Sequence, residues 1–106
     1  GPEEGGEQNE ADEEFTQMVR DNRAAIEAAA AQVSEEELTN FDEELSEEST
    51  NAVSDALENM PEEFTDKLNE VEEGAIIAAT EAVEEELEQV SPGVFGAWLY
   101  RASQLS

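Results

Sequence analysis

The chain has 106 residues, with 30 Asp plus Glu against 4 Lys plus Arg, a formal net charge of −26, and neither Cys nor His. That length supports one domain with one modest core, burying about 65% of the unfolded surface. Four cations (Arg20, Arg23, Lys67, Arg101) form no basic footprint for phosphates. Without thiol or imidazole there is no disulfide frame, thiolate nucleophile, Cys/His zinc site or imidazole base.

In chain order, Gly1-Pro2 reads as the scar of a cleaved fusion, and residues 3–14 as a disordered acidic leader without a large apolar side chain. From Phe15 the pattern changes. Phe15, Met18, Val19, Ile26, Ala29, Ala30 and Val33 recur at steps of three, four or seven, which predicts a helix over about 12–33. Ser34 to Glu37 matches a capping box, with the serine hydroxyl on the Glu37 amide and the Glu37 carboxylate reaching back to the serine amide. It opens a helix over 35–46 with Leu38, Phe41 and Leu45 on its stripe.

Ser46 to Thr50 lacks large apolar residues, which predicts a break before a helix over 50–60 carrying Val53, Ala56, Leu57 and Met60. Pro61 suits a helix start, and Glu62 and Glu63 suit the positive end of its dipole. The seam Phe64, Leu68, Val71, Ala75, Ala78, Ala82, continued by Val83, Leu87 and Val90, predicts one long helix over 61–90, in which Gly74 is either a tolerated glycine, a kink at a close helix contact or a hinge. Ser91-Pro92 repeats the cap signal and opens a last helix over 92–104. No alternating strand pattern of useful length is present. The fold class is therefore all-α: an antiparallel bundle of four to five helices forming a single domain over 15–106. Leu, Ile, Val and Phe total 21 residues, a proportion that together with high charge points to disorder. Their helical spacing argues against it.

The carboxylates cluster between the apolar stripes, so they coat the outer helix faces. Such a surface repels itself in dilute buffer; at 1 M salt the screening length falls to about 3 Å and the repulsion fades. An acid-rich surface, scarce lysine, arginine favoured over lysine and abundant alanine resemble the soluble proteins of extremely halophilic archaea. That resemblance concerns composition alone and implies a cytoplasm of molar salt. The excess of Glu, 25 against 5 Asp, follows from helix propensity. A competing reading makes the acids a mimic of nucleic-acid phosphates that inhibits a basic nucleic-acid-binding protein, an attraction that salt would weaken.

The function this composition supports is a non-enzymatic interaction module or regulatory subunit adapted to high salt. It has no cofactor, dedicated metal site or small-molecule substrate, no direct nucleic-acid or membrane binding, and only nonspecific monovalent cations around it. Its partner is another protein or a second copy of the chain. The densest apolar segment is 94–100, VFGAWLY. Its face serves either to close the core or as a docking helix or dimer seam, which makes Phe95, Trp98, Leu99, Tyr100 and Arg101 the candidate docking residues.

Overall fold

A computed structural model of the chain describes residues 10–105. Gly1-Pro2 and the leader up to residue 9 lie outside the described residues. The leader ends earlier than 14, because Asp12 caps the first helix through its carboxylate on the Phe15 amide, 3.0 Å. Among the described residues the fold is all-α: α1 (Glu13–Asp21), α2 (Arg23–Ala30), α3 (Glu35–Thr39), α4 (Glu47–Glu58), α5 (Glu62–Leu68), α6 (Glu73–Val83), a 3-10 turn (Glu84–Glu86) and α7 (Pro92–Ser103). The radius of gyration is 13.1 Å, near the roughly 13 Å of a folded chain of about 100 residues, so spacing of the apolar residues outweighs their scarcity.

The bundle has more and shorter helices than four to five. The 12–33 helix divides at Asn22, whose side-chain amide donates to the Met18 carbonyl, 2.7 Å, in the competition with the backbone that disfavours Asn inside helices. The 35–46 helix stops at Thr39. The expected break lies at 40–46, and Ser46 is a cap: its hydroxyl accepts the Ser49 amide, 3.2 Å, and starts α4 at Glu47, ahead of the expected residue 50. The 61–90 helix breaks at 69–72 and again after Glu86, while Gly74 sits buried within the first turn of α6 and makes no kink. That break resets the helical phase. Ile76, Ala79 and Val83 become the core positions, and Ala82 of the expected seam is exposed.

Helix α7 is the hub, packing against α2, α3, α4, α5 and α6, while α1 lies across α5 and α6. Val94, Phe95, Ala97, Trp98, Leu99 and Ala102 are all buried, so a broad apolar face of α7 is enclosed by its neighbours. Phe15 and Phe64 stack at 6.2 Å between α1 and α5. Among the described residues, no helix is long and apolar enough to cross a membrane.

Candidate functional site

Phe95, Trp98 and Leu99 have no exposed surface and belong to the core. They take the core alternative of the two that the sequence left for this face and are not available on the outside of the folded chain. The Trp98 indole N–H makes no hydrogen bond among the described residues. Tyr100 and Arg101 are half-buried at the edge of the same helix.

Arg101 has a structural task that spacing did not reveal. Its guanidinium donates to the carbonyls of Leu38 (3.2 Å), Glu37 (2.9 Å), Asn40 (2.6 Å) and Glu43 (2.9 Å). The last carbonyls of a helix have no partner within it, and a helix of five residues is too short to persist alone. Arg101 supplies both the missing donors and positive charge at the negative end of α3. The capping box at the other end forms by half. Ser34 Oγ accepts the Glu37 amide (3.3 Å), but the Glu37 carboxylate accepts the Ser46 amide (3.0 Å) in place of the Ser34 one, and thereby closes the 40–46 loop. That bond, followed by a contact with the Ser49 hydroxyl, holds the Glu37 carboxyl below its ordinary range.

With α3 fixed in this way, Phe41 is held over the flank of α7. Its ring lies 5.2 Å from the Arg101 guanidinium and meets the Tyr100 ring edge-on at 5.4 Å. It is 55% exposed, which corrects its expected place on a buried stripe. Beyond it runs an open groove of about 550 Å³ between α6 and α7. The α6 wall carries Glu73, Ile77 and Glu81 at helical spacing, continued by Glu84 of the 3-10 turn; the α7 wall is low, with Gly93, Gly96 and Ala97 before Tyr100. A Cβ at position 96 would lie 3.2 Å from the Thr80 hydroxyl, so the two helices approach closely at the floor. Three large hydrophobic residues are exposed among the described residues, and two of them, Phe41 and Ile77, line this groove. Ile77 had a sequence signal: adjacent residues on a helix point about 100° apart, so Ile76 and Ile77 cannot both face a narrow core.

The other cations tie elements together. Lys67 reaches Asp12 (3.1 Å) and Glu14 (3.4 Å), joining α5 to the start of α1. Arg20 bonds Glu86 (3.2 Å) and the Ala82 carbonyl (3.1 Å). Arg23 pairs with Glu27 one turn on at 2.6 Å, but Glu27 is only 1% exposed and does far more than relieve charge. Its Oε1 accepts the amides of Glu88 (2.9 Å), Gln89 (2.5 Å) and Val90 (3.1 Å), pinning the loop that leads into α7. Burial pushes the Glu27 carboxyl up, and the three amides with Arg23 outweigh it, so the net shift is downward.

Among the described residues, no group of three or more Asp or Glu is arranged to hold a metal ion. The chain matches no protein-family model, no curated protein and no solved structure.

Proposed function

We propose that this chain is a non-enzymatic protein-interaction module, with a surface suited to a cytoplasm of molar salt, and that it engages its partner through the α6–α7 groove. The observation that carries the reading is the concentration of exposed apolar surface there, Phe41 and Ile77 with half-buried Tyr100, on a body otherwise coated in carboxylate. Exposed apolar residues gathered into one concavity and rimmed by charge are the usual signature of an interaction site. The acid coat supports the high-salt half of the proposal. Among the described residues, three of the four cations pair with carboxylates and the fourth is committed to backbone carbonyls, so four cations are far too few to offset the acids of the chain. Salt strengthens apolar burial while it screens surface charge, so an apolar groove keeps its affinity where an electrostatic surface loses it.

The test is photo-crosslinking in the cells that make the protein, with a benzophenone side chain at position 77 or at exposed Glu58 on α4. The proposal expects discrete partner adducts from position 77, several-fold more abundant than from position 58. Equal labelling from both positions would contradict it.

A further inference from the structure

The groove is asymmetric in a way that selects its occupant. Both walls are helices whose backbone groups are already paired, so an extended segment would find no strand edge to extend. A docking segment must satisfy its own backbone, which an α-helix does. Glu73 to Glu84 covers about 16 Å of wall at 1.5 Å per residue, the length of three helical turns in an occupant. The low wall is open at Gly93, where an added Cβ would meet nothing closer than the Ser91 hydroxyl at 3.9 Å, while Gly96 is taken up by the close approach to Thr80 at the floor.

Charge narrows the choice further. Glu73, Glu81 and Glu84 stand along the rim, and no Lys or Arg lines the groove. Arg101, the nearest cation in sequence to Tyr100, turns its donors onto the 37–43 carbonyls. A second copy of the chain would set its own carboxylates against this rim at contact distance, where even a screening length of about 3 Å leaves repulsion, and the chain's own N-terminal segment, EEGGEQNE, is acidic and lacks apolar anchors. Resting on the interaction-module reading, we infer that the α6–α7 groove receives an amphipathic helix of a partner protein whose apolar face seats between Phe41, Ile77 and Tyr100 and whose flanking Lys or Arg meet Glu73, Glu81 and Glu84. Apolar contact supplies the affinity, and the rim fixes which face and which charge are accepted.

The experiment uses the full chain in 1 M KCl and a fluorescein-labelled leucine/lysine peptide of about 18 residues with leucines at helical spacing, read by fluorescence anisotropy. The controls are a scrambled peptide, the leucine/glutamate counterpart, and the Ile77→Glu chain with its fold checked by circular dichroism; Ile77→Ser replaces it if helicity is lost. The expected result is binding of the patterned basic peptide that Ile77→Glu weakens by about tenfold or more, although the substitution adds negative charge. Equal or tighter binding by Ile77→Glu, equal binding of the scrambled peptide, or no binding of the patterned peptide would overturn the proposal. Preference for the leucine/glutamate peptide, or a dimer of the chain in sedimentation that Ile77→Glu dissociates, would overturn the basic helical occupant while leaving the groove as an interaction site. Loss of both peptide binding and self-association, with equal crosslinking from positions 77 and 58, would remove the interaction reading itself.

Discussion

Two regions of this molecule place glutamate beside apolar surface and use it in opposite ways. At the junction of α2 with the 87–91 loop, Glu27 is enclosed and every bond it makes is internal, to Arg23 and three backbone amides. Along the α6–α7 groove, Glu73, Glu81 and Glu84 are exposed beside Ile77. The same side chain is a fastener where its partners belong to the chain and a solvated charge where they do not. Net charge therefore says little about what an individual carboxylate does here.

The largest effect expected from breaking this contrast is at Glu27. Glu27→Ala leaves three loop amides without their acceptor and Arg23 without its partner, and should destabilise the fold by about 3 kcal/mol or more in urea unfolding at high salt. Next is Arg101→Ala, expected to cost about 2 kcal/mol and to expose the amides of α3 and 40–46 to hydrogen exchange well before those of α7. Removing rim charge lies at the other end. Glu73→Gln, Glu81→Gln and Glu84→Gln together should change stability by less than about 0.5 kcal/mol in 1 M KCl, with slight stabilisation at low salt, where they relieve repulsion.

Acid titration sharpens the same comparison. The folded Glu27 carboxyl lies below its ordinary 4.5, so its contribution is complete above that pH and is lost as pH falls through the folded value. Asp12, lowered first by the Phe15 amide and then by Lys67, acts with the same sign. In 3 M KCl, where general repulsion is screened, stability should fall as pH drops below about 4.5, and Glu27→Gln should flatten part of that fall. Unchanged pH dependence in the variant would contradict an internally bonded carboxylate.

The sequence made the capped starts legible, because Ser34 and Ser91 act on amides three residues away. The Phe15 to Val33 stripe was legible for the same local reason. The helix breaks at Asn22 and 69–72 were not, since continuous periodicity on either side hides a change of phase that only packing imposes. The fastening roles of Glu27 and Arg101 were not legible, because the partners that define them are backbone atoms 58 to 64 residues away, which leave no trace in residue identity. The groove was half legible. The aromatic cluster pointed to α7, but Phe41, Ile77 and Gly96 gain meaning only when α3 and α6 are brought against it.

The proposal that the acid coat around this apolar core is suited to high salt makes a direct prediction. Far-UV circular dichroism of the full chain, followed through thermal melting from 0.1 to 3 M KCl, should show helicity and Tm rising substantially with salt. A fully helical chain at 0.1 M KCl with a flat Tm across the range would contradict it.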